Sequence, residues 1–167
     1  AGAHERAVSC YRALDGSGSA VDHFHQAVSH RALQQTSQAA DEYATAMRLA
    51  PDFAEAHLNA GFVFSEVGRK AEAISAYERG LQLREWDATI AAAAYNNLGV
   101  LLRSSTRGDE AASAFRAAIE RQPDMVLARD NLRGIAFGDG HAFADMILRG
   151  NEAFEKQAHA EAASWYE

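Results

Sequence analysis

The first residues in this sequence that could do chemistry are its seven histidines. A metal ion needs several His, Asp, Glu or Cys side chains converging at fixed spacing. His23 and His30 lie seven residues apart and would share a helical face, but Asp22 falls off that face and no Cys joins them. No His-Glu-x-x-His motif occurs. His23, His30 and His57 therefore read as core or capping histidines, and no metal site is expected. The single cysteine, Cys10, excludes an internal disulfide framework and has no nucleophile motif around it, so it reads as a buried structural thiol. Gly-x-Ser-x-Gly, Walker-type and Gly-x-Gly-x-x-Gly elements are absent. Gly138-Asp139-Gly140 lacks calcium-loop spacing and reads as a turn. No catalytic constellation emerges, so the chain is not expected to be an enzyme or to carry a cofactor. What remains is a series of amides: Asn59, Asn97 and Asn131, 38 and 34 residues apart. A primary amide both donates and accepts hydrogen bonds. Such a series can satisfy the backbone of another chain without reading its side chains.

Helices must position these groups. The chain has 167 residues, 37 of them Ala and only two Pro, and 48% are hydrophobic. Ala is the best helix former and Pro the worst, so the chain reads as nearly all helix, with no strands. No run approaches 18 apolar residues, so no membrane-spanning helix is expected. The first ten residues do not show a basic start followed by an apolar stretch. The expected location is intracellular and cytoplasmic. The net charge of −7 argues against a nucleic-acid binder or a polybasic membrane anchor.

A repeat organises the helices. Pro51 and Pro123 each follow an amphipathic stretch and precede Asp. Counting back from each gives one pattern: Ala39 with Tyr43, and Ala111 with Phe115, at i, i+4 spacing. Ala73 with Tyr77, Ala162 with Tyr166 and Ala7 with Tyr11 match it. Gly61, Gly99 and Gly150 stand twelve residues before Ala73, Ala111 and Ala162, and Ala27 twelve before Ala39. Gly inside a helix costs about 1 kcal/mol relative to Ala, which makes sense where two helices cross closely. The units start at Ala20, Ala54, Ala92 and Val126. The spacing predicts helices over 4–14, 20–33, 37–49, 54–67, 70–83, 88–104, 109–121, 125–137, 142–156 and 159–167. Four extra residues around Glu85 to Ala88 start one helix a turn early, with Trp86 at the junction. Three segments result: a partial repeat and linker over 1–19, an array over 20–137, and a turn with the start of a truncated repeat over 138–167. A half-repeat phase shift near Phe143 and the mid-helix stop at Glu167 give the chain the look of a window from a longer array.

This pattern resembles the tetratricopeptide repeat family, carried best by Tyr95-Asn-Asn-Leu98-Gly99 with Ala111, Phe115, Ala118 and Pro123. His57, Gly61, Phe64, Ala73, Tyr77 and Gly80 form the second match, and His23, Ala27, His30, Ala39, Tyr43 and Pro51 a weaker one. The resemblance implies an all-α solenoid of helix-turn-helix units in a right-handed superhelix. It implies that the first helix of each pair lines a concave groove. In that register the sixth place of successive units holds His25, Asn59, Asn97 and Asn131, similar to the asparagine ladder of O-linked N-acetylglucosamine transferase superhelices. Arg31 and Arg103 hold the twelfth place and could meet acidic groups. The family's carboxylate clamp for chaperone tails needs Lys-Asn pairs where this chain has Phe24-Val28, Leu58-Phe62 and Asn96-Val100. Asn151 matches one clamp Asn, but Ile147 replaces its Lys. Chaperone-tail binding is therefore not expected.

The expected function is a non-catalytic protein-interaction scaffold that takes an extended peptide or partner segment in the groove. Its site residues would be Asn59, Asn97, Asn131, His25, Arg31 and Arg103. Two alternatives stay open. One is a structural subunit that self-associates or joins a larger assembly through its convex and end faces. The other is the substrate-recognition arm of an enzyme whose catalytic domain lies outside this sequence.

Overall fold

The computed structural model describes residues 18–137. The expectations for Cys10, Asn151, the outer helices and the phase shift near Phe143 fall outside these residues. Within them lie seven helices and no strand: α1 (Ala20–Ala32), α2 (Thr36–Leu49), α3 (Ala54–Glu66), α4 (Lys70–Leu83), α5 (Ala88–Ser104), α6 (Gly108–Arg121) and α7 (Val126–Phe137). Each bound lies within one residue of the spacing-based expectation. α1 packs on α2, α3 on α4 and α5 on α6, each pair abuts the next, and the first helices α3, α5 and α7 touch in series. The chain is an all-α solenoid of helix-turn-helix repeats. No described helix is long and apolar enough to cross a membrane.

Local chemistry sets the ends. Ser19 and Asp22 close a capping box on α1, and the Asp87 carboxylate accepts from the Thr89 N–H at the start of α5. α2 and α6 stop at Leu49 and Arg121, each two residues before a proline, which cannot continue a helix. The added residues after α4 are anchored by Trp86, whose indole N–H donates to the Gly80 carbonyl at 2.9 Å.

The turns inside the three pairs are one structure used three times. The N–H groups of Gln35, Arg69 and Arg107 return to the carbonyls of His30, Phe64 and Leu102. This closure puts the preceding residue in the left-handed region: Gln34 at φ 60°, Gly68 at 79° and Thr106 at 60°. Only Gly takes that shape without a Cβ penalty of about 1–2 kcal/mol. Thr106, β-branched, bears it worst. Replacing Thr106 with Gly should stabilise the fold by about 1 kcal/mol, read as a higher denaturant midpoint with an unchanged slope.

The core follows the small-then-aromatic rhythm. Ala39, Ala73 and Ala111 are fully buried, and so are Tyr43, Tyr77 and Phe115 one turn later. Tyr77 lies flat against Gly61 of α3, and Phe115 against Gly99 of α5. Neither ring leaves room for a Cβ on its glycine.

Candidate functional site

The candidate site is the face made by α1, α3, α5 and α7, because the sixth, ninth and twelfth places of the units recur there. Asn59, Asn97 and Asn131 are all half-buried, so each offers part of its amide to the surface. One N–H of each amide is already committed inside the protein. Asn59 Nδ2 donates to the Glu55 carbonyl of its own helix at 2.9 Å. Asn97 Nδ2 lies 3.2 Å from the Tyr77 hydroxyl of the preceding unit. Asn131 Nδ2 donates to Asn96 Oδ1 at 3.0 Å. Among the described residues the carbonyl oxygens of all three amides take no hydrogen bond. The series thus keeps each carbonyl oxygen and one N–H of each amide for a partner.

The differing partners have a cause one repeat back. Tyr77 has a hydroxyl that meets Asn97, and burial pushes its pKa up to about 12. Phe115 has none, so Asn131 turns to Asn96 instead. Tyr43 does have a hydroxyl, yet Asn59 bonds its own helix, and the buried Tyr43 hydroxyl has no hydrogen-bond partner. These side-chain choices left no trace in the spacing of the asparagines. The Tyr, Tyr, Phe sequence at the aromatic place was the available signal.

Next to the amides runs an apolar row at the ninth place. Val28 and Val100 are each 38% exposed, and Phe62 between them is half-buried. The repeat register already puts the ninth residue of each unit on this face, but it does not single out Val28, Phe62 and Val100 as site residues. Arg31 lies over the Phe62 ring, 4.8 Å from guanidinium carbon to ring centroid. Arg103 is exposed at the equivalent place on α5. His25 is exposed with its ring edge against Phe24, at 5.6 Å between centroids. It stands apart from the amides in chemistry, since an imidazole at this place cannot repeat the primary amide.

The other described histidines are structural. His23 Nδ1 sits 2.6 Å from a Glu42 carboxylate oxygen, and His30 Nδ1 2.6 Å from Gln35 Oε1. His57 Nε2 lies 3.1 Å from the Pro51 carbonyl, to which it donates, while its buried Nδ1 has no partner. Burial lowers the His57 pKa, and the Pro51 bond only partly opposes that. The unfolded chain therefore binds this proton more readily than the folded one. Stability should be intact above the ordinary histidine value and fall as pH drops through about 6.5. Melting curves from pH 7.5 to 5 should show that loss, and His57→Gln should reduce it. No group of three potential metal ligands occurs among the described residues. Shallow clefts of about 410 and 470 Å³ lie between successive second helices, over Leu98 and Leu102 and over His57 and Phe64. Neither contains a site asparagine.

Comparison with known proteins fits this geometry. The family model for the tetratricopeptide repeat matches residues 54–85 and 92–125. Both segments are similar to tetratricopeptide repeats. They correspond to α3 with α4, and to most of α5 with α6. A search of curated proteins gives no match. Among solved structures, the crystal structure of MamA is 19% identical, covers 99% of this chain and 85% of its own, and has a TM-score of 0.69. YrrB, described as a tetratricopeptide repeat protein with an unusual peptide-binding site, is 23% identical, with 76% and 64% covered and a TM-score of 0.64. The first such domain of Spaghetti (RPAP3), bound to the HSP90 peptide SRMEEVD, is 19% identical, with 71% and 90% covered and a TM-score of 0.61. At these identities the likeness shows the fold. Tetratricopeptide repeats mediate protein–protein interaction, and two of these neighbours bind peptides by their own descriptions.

Proposed function

We propose that this chain is a non-catalytic scaffold that holds an extended segment of a protein partner along α1, α3, α5 and α7. The observation that carries this reading is the pairing of two rows on that face: half-exposed apolar side chains at the ninth place, beside amide oxygens with no internal partner at the sixth. Exposed apolar groups in register across repeats are a common mark of a binding surface. Helix layers about 10 Å apart meet an extended chain advancing about 3.4 Å per residue. One Asn per layer would then accept from about one peptide N–H in three. Each such bond contributes about 1 kcal/mol net, so Val28, Phe62 and Val100 must add affinity by burying the partner's side chains. This is a version of the asparagine ladder in which the Asn oxygens hold ligand N–H groups and the remaining amide N–H can meet a ligand carbonyl. His25, Arg31 and Arg103 would sit along the same path.

The test is retention of an octapeptide library by the full chain. Asn59→Ala and Val100→Glu should each cut retention at least several-fold while the far-ultraviolet circular dichroism stays helical. Unchanged retention in both variants would sink the groove reading. Asn97→Ala is a poorer probe, because it also strands the buried Tyr77 hydroxyl. A second reading, a subunit that assembles through an end face, draws on Val126 and Leu127, both more than 60% exposed in the first turn of α7. Sedimentation showing a monomer across a hundredfold range of concentration would remove it.

A further inference from the structure

We infer that the α5–α7 end of this face carries an aromatic subsite, in which a Phe, Tyr or Trp side chain of the bound segment packs on the uncovered backbone at Gly134 and against the Arg103 guanidinium. This rests on the groove reading and makes it more specific. The repeat supplies the template. Arg31, at the twelfth place of its unit, lies over the ring of Phe62, at the ninth place of the next unit. The interval is 31 residues. Arg103 holds the twelfth place two units later, and 31 residues beyond it, at the ninth place, stands Gly134. The arginine recurs and the ring does not.

The second observation is the glycine itself. Gly is disfavoured within a helix, and the glycines inside α3, α4 and α5 each make room for a side chain of the neighbouring helix: Gly61 for Tyr77, Gly80 for Leu58 and Gly99 for Phe115. Gly134, in the last turn of α7, is exposed and meets no such core side chain among the described residues. What comes near is the head of Arg103: its Nη1 lies 3.5 Å from the place a Cβ on Gly134 would take. The guanidinium therefore stands by the spot where, at the equivalent place of α3, the Phe62 side chain begins.

Among the described residues nothing else engages that guanidinium. Four arginines stand on the first helices, and both on α7 have polar partners: Arg129 donates to the Pro123 carbonyl, and Arg133 pairs with Asp130. Arg31 has its ring. Arg103 is exposed, and its side chain has no ion pair, hydrogen bond or ring among the described residues. Val100, one turn before it on α5, is 38% exposed. A ring seated at Gly134 would thus gain an apolar neighbour, close approach to a backbone that no β-carbon shields, and a cation on its face. An aliphatic side chain offers the cation nothing.

The experiment uses the full chain and a synthetic octapeptide library, acetylated and amidated so that neither peptide end is charged. Retained peptides should be enriched about threefold to tenfold in Phe, Tyr or Trp at one position. Gly134→Phe gives Arg103 a ring of its own, as Phe62 does for Arg31. It should abolish the aromatic preference while other peptides are still retained and the melting temperature does not fall. Arg103→Gln should weaken the preference severalfold, and Arg133→Gln, which removes the same charge from the neighbouring position, should leave it in place. Enrichment of acidic residues at that position, enrichment of Leu and Met equal to that of the aromatics, or no enrichment overturns the subsite and leaves the groove standing. So does an aromatic preference that survives both Gly134→Phe and Arg103→Gln. No retention of any peptide by the unaltered chain overturns both.

Discussion

Replacing Phe115 with Ala is expected to destabilise the protein by about 3–5 kcal/mol. The ring has no solvent exposure and fills the crossing between α5 and α6, with its face against Gly99. Removing it deletes the largest apolar group of that pair. The cavity cannot close easily, because the facing residue is glycine and has no side chain to move inward. Position in the array makes the loss worse. In a stacked-repeat protein each unit depends on its neighbours, and the pair α5–α6 lies between α4 and α7. The damage should therefore appear as a broadened or biphasic denaturation curve, with the α3–α4 side outlasting the rest, and not as a simple shift of one transition. A single sharp transition displaced by less than 1 kcal/mol would show that this ring is not the centre of the pair.

The same contact shows how much was legible beforehand. Ala111, Phe115 and Gly99 were found by counting back from Pro123, with no coordinates. The spacing of i, i+4 pairs and of a glycine twelve residues earlier is imposed by helix crossing, so it must appear in the chain. Helix bounds were legible for a related reason: Pro51 and Pro123 act on their immediate neighbours. The left-handed turn residues were only partly legible. Gly68 announces itself, but Gln34 and Thr106 take the same backbone because the flanking helices impose it. The amide series was legible as positions and not as chemistry. Asn59, Asn97 and Asn131 share a place in the repeat, yet their partners are a backbone carbonyl, a phenol and another amide. Those choices depend on what the preceding unit supplies across the interface. Arg31 shows a similar limit, since its seat on Phe62 joins two units 31 residues apart in sequence.

Adding one methyl group at Gly99 should be nearly as revealing as deleting the ring. Ala is favoured over Gly in a helix interior by about 1 kcal/mol, so helix propensity alone makes Gly99→Ala stabilising. The structure predicts the opposite sign. A Cβ on Gly99 would lie 2.6 Å from Phe115 Cε1 and 2.8 Å from both Cδ1 and Cζ. Three ring atoms at that distance cannot all be relieved by a rotation, because the methyl meets the body of a rigid side chain. The helices must separate or the ring must leave its rotamer, at a cost of about 1–3 kcal/mol or somewhat more. With the propensity gain subtracted, Gly99→Ala should destabilise by about 1 kcal/mol. Coupling to Phe115 supplies the decisive check. If the clash is with the ring, the loss must disappear once the ring is gone. In the Phe115→Ala background, Gly99→Ala should become neutral or stabilising, because the new methyl then keeps its helix propensity and fills part of the cavity. The interaction energy from the double-mutant cycle should be about 1–2 kcal/mol, within the range for residues in direct contact. Additive single effects would mean that the two positions do not touch, and the close helix crossing inferred from the glycine spacing would be wrong.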